Sequence, residues 1–152
     1  MPILSESQWY AATWARRPPG MVWEDWQPWA AWLKTPEAQR YEYAYDVELP
    51  VNVAPESETD PAMRRSFERS NARRIDAVGK IGSEYTIFEA RRFTGWSAIA
   101  QLQGYAQLWP LFNTSDPVVD LVLITERIPD DIRALALRAG VRVWVSTELT
   151  SN

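Results

Sequence analysis

The sequence contains neither cysteine nor histidine among its 152 residues. Without cysteine the chain forms no disulfide and has no thiol nucleophile and no zinc–thiolate site. Without histidine it has no imidazole base and no histidine-based metal site. Any catalysis would therefore have to use carboxylates, Lys, Arg, Tyr, Ser or a hard metal ion.

The sequence also lacks a long apolar run and an excess of positive charge. No stretch of about 18 apolar residues occurs, which predicts no transmembrane helix and no membrane partner. The first residues lack a basic stretch followed by an apolar one, so we expect no secretion signal peptide. A net charge of −4 disfavours a protein that coats nucleic acid through bulk charge, but it is compatible with a local basic patch.

Tryptophan, in contrast, is abundant: the chain has nine, and six of them lie in the first 32 residues. The size and the 46% hydrophobic composition predict a globular domain. We divide the chain into a Trp/Pro-rich N-terminal arm, residues 1–36, and an α/β domain, residues 37–152. Four tryptophans of the arm recur every three residues: Trp23, Trp26, Trp29 and Trp32. They either pack on their own domain or anchor the arm in a neighbouring subunit.

Hydrophobic periodicity predicts an α/β fold with a mixed central sheet flanked by helices. Strict alternation over residues 41–51 predicts a strand with one apolar face, formed by Tyr41, Tyr43, Tyr45, Val47, Leu49 and Val51. Helices are predicted over residues 24–34, 61–72, 95–112 and 129–139. Further strands are predicted over residues 74–77, 87–91, 118–124 and 141–145. The closing strand, helix and strand predict a parallel pair with a right-handed crossover.

Two acids lie in a predicted hairpin whose strands are residues 74–77 and 87–91 and whose connector is the glycine-containing stretch 79–83. Asp76 and Glu89 each have apolar neighbours, and burying a carboxylate without a partner is costly. If the two converge, a cation between them relieves their repulsion, and oxygen ligands of this kind suit Mg²⁺ or Mn²⁺. Alternatively, both acids lie at the surface and pair with Arg74, Arg91 or Arg92.

The helices on either side of the hairpin carry further candidates. Gln101 and Tyr105 are one helical turn apart, so both can face the same site. Alternatively, Tyr105 packs in the core with Gln101 at its edge. Before the hairpin, four arginines fall largely on one flank of the predicted helix, where they either form a solvated face or contact DNA phosphates: Arg64, Arg65, Arg69 and Arg73.

The order Asp76, then Glu89-Ala90-Arg91, then Gln101 with Tyr105 resembles the PD-(D/E)xK superfamily of restriction-endonuclease-like nucleases. The Gln-x-x-x-Tyr spacing resembles the exonuclease branch, and residues 74–146 resemble small nuclease-like proteins encoded among the structural genes of tailed phages. The resemblance implies a restriction-endonuclease-like core and a catalytic set with Mg²⁺ or Mn²⁺ on Asp76 and Glu89 if the site is active. That catalytic set is Asp76, Glu89, Arg91, Gln101 and Tyr105. It also implies an upstream helical glutamate, for which the candidates are Glu24, Glu37 and Glu68.

Arg91 stands where the superfamily has a lysine that orients or activates the attacking water. An arginine keeps its proton at neutral pH, because its pKa lies above about 12, yet it still binds phosphate. The resemblance therefore implies a phage virion or assembly protein, such as a head–tail connector or neck component, that is weakly active or inactive. Its partners would be other phage structural proteins, copies of itself and DNA, in the virion or the host cytoplasm.

Two alternatives stay open beside that interpretation. The chain could be an active Mg²⁺- or Mn²⁺-dependent nuclease that hydrolyses phosphodiester bonds during phage DNA processing. It could also be an α/β domain of another function in which the motif matches are accidental.

Overall fold

A computed structural model of the protein describes residue 4 and residues 7–49, 53–113 and 117–148, apart from the side chain of Val119. Within this part of the chain, six strands form one mixed sheet, and α-helices flank it. The strands follow one another across the sheet in the order in which they occur in the sequence. The predicted α/β class, with a mixed sheet flanked by helices, is confirmed.

The strands are β1 (Tyr10–Ala11), β2 (Glu42–Leu49), β3 (Arg73–Ile81), β4 (Glu84–Phe93), β5 (Val118–Arg127) and β6 (Val141–Val145). The α-helices are α1 (Trp23–Leu33), α2 (Pro61–Asn71), α3 (Trp96–Phe112) and α4 (Asp130–Arg138), and a short 3-10 helix spans Ala38–Arg40. Strands β1 to β4 pair antiparallel, whereas β4, β5 and β6 pair parallel. The predicted parallel pairing of the last two strands is confirmed.

The core lies on both faces of the sheet. Helix α1 covers one face, where its Trp29 and Trp32 pack with Phe88 and other sheet residues. Helices α3 and α4 cover the other face, where Leu102 packs with Ile87. Fully burying a large apolar side chain stabilises the fold by about 1.5–3 kcal/mol. These two layers hold β3 and β4, the predicted hairpin strands, in the middle of the molecule.

Helix α1, which lies within the predicted N-terminal arm, is part of this core. Trp29 and Trp32 are fully buried, so they follow the alternative of packing on their own domain and are not exposed for docking. A three-residue step turns about 60° back around a helix, because each residue turns 100°. The four tryptophans therefore do not share one face of α1. Trp26 is partly buried, and Trp23 is exposed. No helix in the described ranges is both long and apolar enough to span a membrane.

The predicted hairpin connector over residues 79–83 is wrong, because the connector is shorter. The turn contains only Gly82 and Ser83, and Gly82 has a positive φ of 60°. Gly79 instead lies within β3, where a Cβ atom would come 2.6 Å from the Phe88 ring and 2.8 Å from the Tyr41 ring. Glycine is needed there for close packing, and its presence in the sequence was misread as a turn signal.

The predicted single apolar face of residues 41–51 is also wrong. Tyr43 and Tyr45 face α1, but Val47 and Leu49 belong to the core on the opposite face of the sheet. The alternation reverses at Asp46, whose φ of 52° is the left-handed conformation that a regular strand does not contain. Val51, predicted on the same face, lies outside the described residues.

Strand β3 reverses at the corresponding position. Ile75 belongs to the core under α3, whereas Ala77 belongs to the core under α1. The flanking pairs Tyr45–Ala77 and Val47–Ile75 place Asp46 opposite Asp76. Both strands therefore change face together, at the point where β3 carries its predicted site residue.

Helix α2 lies apart from these layers and buries none of its residues. Asp60 caps it, because its side chain accepts a hydrogen bond from the Ala62 N–H at 3.0 Å, and Pro61 begins the helix as predicted. Glu68 accepts a hydrogen bond from the Ala54 N–H at 3.0 Å. The helix is thus tied to the loop that precedes it.

Candidate functional site

Strands β3 and β4 bring Asp76 and Glu89 to opposite positions. Their backbone pairs run from Ile81–Glu84 to Ala77–Phe88, so continuing the register by one step pairs Asp76 with Glu89. The Asp76 carboxylate accepts a hydrogen bond from the Ala90 N–H at 3.0 Å, just beyond the last backbone pair. The two acids converge, which is one of the two arrangements that the sequence left open.

The guanidinium of Arg91 lies between these two carboxylates. Its Nη1 is 3.2 Å from Oδ2 of Asp76, and its Nη2 is 3.2 Å from Oε2 of Glu89. Nη1 is also 3.8 Å from Oδ2 of Asp25, a residue of α1. Arg91 therefore supplies positive charge to the converging acids, as in the predicted alternative, but Glu89 is buried and does not lie at the surface as that alternative had it. We call Asp25, Asp76, Glu89, Arg91 and Gln101 the Arg91 cluster.

Helix α3 contributes the two residues predicted to follow the hairpin. Oε1 of Gln101 accepts a hydrogen bond from Nη2 of Arg91 at 2.7 Å. The Tyr105 hydroxyl donates to the Arg74 carbonyl at 2.9 Å and so holds β3 beside the cluster. Burial, together with the nearby charges of Glu89 and Asp76, raises the pKa of Tyr105, which keeps the phenol neutral. The five predicted catalytic residues thus lie together, with Tyr105 acting through the strand backbone.

None of the three predicted upstream glutamates belongs to the cluster. Glu37 pairs with Arg142 at 2.6 Å, and Glu68 accepts the Ala54 N–H described above. Glu24 is exposed and has the wrong orientation on α1. The acid that α1 contributes to the cluster is instead Asp25.

Asp25 was missed by the sequence reasoning, although a local signal was present. It precedes Trp29 and Trp32 by four and seven residues, which places it on the buried face of α1. Its Oδ1 accepts a hydrogen bond from the Arg92 N–H at 3.0 Å. An acid on the same face of a helix as buried tryptophans faces the sheet. Its angular position on the helix therefore distinguishes Asp25 from its neighbour Glu24.

The protonation of the cluster is set by burial. Burial raises the pKa of Glu89 well above its ordinary 4.5, Asp76 raises it further, and Arg91 lowers it only in part. Burial also raises the pKa of Asp25. The Glu89 side chain is 1% exposed, and its Oε1 has no hydrogen-bond partner. Burial opposes the charge of Arg91, but Glu89, Asp76 and Asp25 raise the pKa of Arg91 overall.

The cluster as arranged does not fit a metal ion. Its three carboxylates, from Asp25, Asp76 and Glu89, have the oxygen chemistry that Mg²⁺ or Mn²⁺ prefers. The guanidinium, however, fills the space between them. Across the described ranges, no group of three or more acidic side chains is arranged to hold a metal ion.

The arginines predicted to contact DNA have different surroundings. Arg64 donates to the carbonyls of Pro55 and Glu58 at 2.8 and 2.7 Å, so it secures the loop before α2 instead of facing solvent. Its predicted contact with phosphate stays a prediction. The other three arginines are exposed: Arg65, Arg69 and Arg73. A basic surface of three residues remains on α2 and at the start of β3.

Comparisons with known proteins add no relative. The chain matches no family model, no curated protein and no solved structure.

Proposed function

We propose that the chain is a nuclease-like domain that associates with DNA and cleaves it weakly or not at all. We further propose that it acts as a component of a phage virion, such as a head–tail connector or neck protein. One observation carries the loss of turnover: the Arg91 guanidinium fills the space between the carboxylates of Asp25, Asp76 and Glu89.

The arrangement of elements supports a restriction-endonuclease-like core. An antiparallel region, β2 to β4, precedes two parallel pairs that are connected by α3 and α4. The acids lie on β3 and β4, and Gln101 and Tyr105 lie on the next helix. This is the order of elements and motifs that the PD-(D/E)xK resemblance implies.

The chemistry of arginine supports weak turnover. Lysine gives up a proton readily when buried, whereas arginine stays charged and cannot act as a base. A metal ion would also have to displace a cation that already pairs with Asp76 and Glu89 at 3.2 Å each. The same cluster can therefore keep the fold intact without binding the ion that hydrolysis requires.

The virion role is supported by the resemblance of residues 74–146 to nuclease-like proteins encoded among phage structural genes. Its partners would be copies of this chain and other virion proteins. The exposed Arg65, Arg69 and Arg73 provide a basic surface for DNA phosphates. Trp23 and Trp26 remain the candidates for docking among the four tryptophans of the predicted arm.

The test compares the wild type with Arg91→Lys, which restores the Glu-x-Lys motif, on labelled linear and branched DNA with Mg²⁺ or Mn²⁺. We expect little or no cleavage by the wild type and metal-dependent cleavage by Arg91→Lys, which Asp76→Ala in the same background abolishes. Arg142→Lys is the matched control, because Arg142 is a half-exposed arginine of β6 that pairs with Glu37 and Asp120. Circular dichroism checks that every variant is folded.

An active metal-dependent nuclease is the second candidate. The observation that favours it is the buried and unpartnered Oε1 of Glu89 beside Asp76. Robust cleavage by the wild type that disappears in Asp76→Ala would establish this candidate and overturn the first. Cleavage by Arg91→Lys alone would support the first.

A further inference from the structure

Three aromatic side chains are exposed next to the Arg91 cluster although they are large and apolar. Trp23 is 62% exposed, Phe93 is 59% exposed and Trp96 is 70% exposed. We call these three residues the aromatic rim. Rings of this size normally contribute to a core, so their exposure near the cluster makes them candidates for contact with a ligand.

The three rings come from segments that meet at the carboxyl end of β4. Phe93 is the last residue of β4, and Trp96 is the first residue of α3. Trp23 begins α1, two residues before Asp25, whose carboxylate accepts the Arg92 N–H at 3.0 Å. The rim therefore borders the Arg91 cluster on the side where β4 leaves the sheet.

Buried hydrogen bonds hold this part of the rim in place. The Thr94 N–H donates to the Arg127 carbonyl at 3.0 Å, and the Thr94 hydroxyl donates to the Thr125 hydroxyl at 2.7 Å. Both threonines are buried. The backbone that carries Phe93 and Trp96 is thus fixed before a ligand binds. Less conformational entropy is therefore lost on binding.

Two arginines flank the Phe93 ring. The guanidinium of Arg92 lies 5.2 Å from the ring centroid, and that of Arg127 lies 5.7 Å from it. Both distances are within the range of a cation–π interaction. Arg92 also pairs with Glu126, whereas Arg127 has no acidic partner within 4.0 Å in the described part of the chain. The rim therefore combines flat rings with positive charge, which complements flat and negatively charged ligands.

We propose that the aromatic rim, together with Arg92 and Arg127, binds the unpaired bases of a single-stranded nucleic acid. Exposed aromatic rings stack on bases, and arginines contribute charge to the adjoining phosphates. The identification of the ligand as nucleic acid rests on the proposed function, whereas the stacking site itself rests on the rim.

Single strands suit this surface better than duplexes do. In a duplex the base faces are hidden in the helical stack, so the rings would have nothing to stack on. Asp25 and the exposed Glu24 adjoin the rim, and the whole chain has a net charge of −4, so a duplex with two rows of phosphates is repelled more strongly than a single strand. Binding that depends on stacking and few cations should also have a shallow salt dependence.

The test measures the fluorescence anisotropy of a labelled oligo-dT strand, and of a duplex of equal length, with the full chain in EDTA. We expect the wild type to bind the single strand more tightly than the duplex. Trp96→Ala, Phe93→Ala and Trp23→Ala should each weaken single-strand binding about tenfold. Leu137→Ala is the matched control, because Leu137 is 79% exposed on α4, and it should leave binding unchanged.

Several results would overturn the proposal. These are no single-strand binding by the wild type, no loss in the rim variants, or an equal loss in Leu137→Ala. Light scattering that shows a wild-type dimer dissociated by Trp96→Ala would assign the rim to a second copy of the chain instead. Duplex binding without single-strand binding would remove the rim's role but leave the proposed DNA association in place. Because EDTA removes divalent metals, none of these outcomes depends on the cleavage test.

Discussion

The two ends of helix α1 meet the sheet in chemically opposite ways. Toward its carboxyl end, Trp29 and Trp32 enter an aromatic layer, which we define as Trp29, Trp32, Tyr43, Tyr45 and Phe88. The Trp32 indole donates to the Tyr43 hydroxyl at 3.2 Å, and that hydroxyl donates to the Ala38 carbonyl at 2.8 Å. Toward its amino end, α1 contributes Asp25 to the Arg91 cluster, where a buried oxygen of Glu89 has no partner.

The two regions differ in their contribution to the stability of the fold. The aromatic layer is neutral, and the indole and hydroxyl groups of its two tryptophans and their tyrosine partners are hydrogen-bonded. The Arg91 cluster buries charge and leaves a polar atom unsatisfied, which costs stability. Such costs occur mainly where function requires them. The aromatic layer is thus the explanation of the tryptophan-rich segment, and the Arg91 cluster is the candidate site.

The largest expected effect is on the aromatic layer. Trp32→Ala should lower the free energy of unfolding by about 3–5 kcal/mol, because it removes a large buried side chain and leaves the Tyr43 hydroxyl without its donor. Trp23→Ala on the same helix removes an exposed ring and should change stability by less than about 0.5 kcal/mol. Urea unfolding of both variants checks this. Equal losses would mean that Trp23 is also buried in solution.

The next effect is on the Arg91 cluster. Arg91→Ala should cost about 2–3 kcal/mol, because it leaves the Asp76 carboxylate without its cation and Glu89 without a hydrogen-bond donor. The loss stays below that of a fully buried pair because the Arg91 side chain is 26% exposed. The control is Arg92→Ala, which breaks a surface pair with Glu126 and should cost about 1 kcal/mol or less.

Addition of Mn²⁺ tests whether the Arg91→Ala variant binds a metal ion. With the guanidinium gone, the carboxylates of the cluster are free to bind a cation, so Mn²⁺ should raise the melting temperature of this variant more than that of the wild type. A stability loss in Arg92→Ala as large as that in Arg91→Ala would contradict the central role given to Arg91.

The Arg91 cluster should also make the stability of the protein depend on pH, through Glu89. The pKa of Glu89 is raised in the folded state, so the folded protein binds a proton that the unfolded chain releases above its ordinary 4.5. Stability from this group is therefore present at low pH and is lost as the pH rises, by at most about 1.4 kcal/mol per pH unit. Glu89→Gln has no such proton and should gain stability relative to the wild type between pH 5 and about 8. Parallel unfolding curves for the two proteins over that range would contradict the raised pKa.

Local patterns predicted the order and type of the main elements correctly. The helix over residues 61–72 was marked by Asp60 and Pro61, and the buried strand over residues 118–124 was marked by its apolar run. Asp76 and Glu89 could be placed on neighbouring strands because a hairpin pairs consecutive strands, although the predicted connector over residues 79–83 implied a different register. Each of these inferences uses neighbours in the sequence, which is where propensity and turn chemistry act.

The predictions that failed depend on contacts between distant segments. The regular alternation of residues 41–51 gives no sign of the positive φ of Asp46, which is seen only in the strand that pairs with β3. Similarly, Gly79 was read as a turn residue, although its small size is needed only where Phe88 and Tyr41 meet across strands. Whether Arg91 points to solvent or to the acids was left open for the same reason, since Asp25 and Gln101 help to decide it.

The smallest effects concern single hydroxyl groups, one in each region. Tyr43→Phe leaves both the Trp32 indole and the Ala38 carbonyl without a partner in the buried aromatic layer, so it should cost about 2 kcal/mol. Tyr105→Phe removes one hydrogen bond to the Arg74 carbonyl and should cost about 1 kcal/mol. The two differ in their effect on the candidate site, because Tyr105 holds β3 beside Asp76 whereas Tyr43 lies under α1. In the Arg91→Lys background, Tyr105→Phe should therefore lower cleavage more than Tyr43→Phe does, although it destabilises the fold less. An effect on cleavage that simply followed the loss of stability would show that Tyr105 is an ordinary core residue.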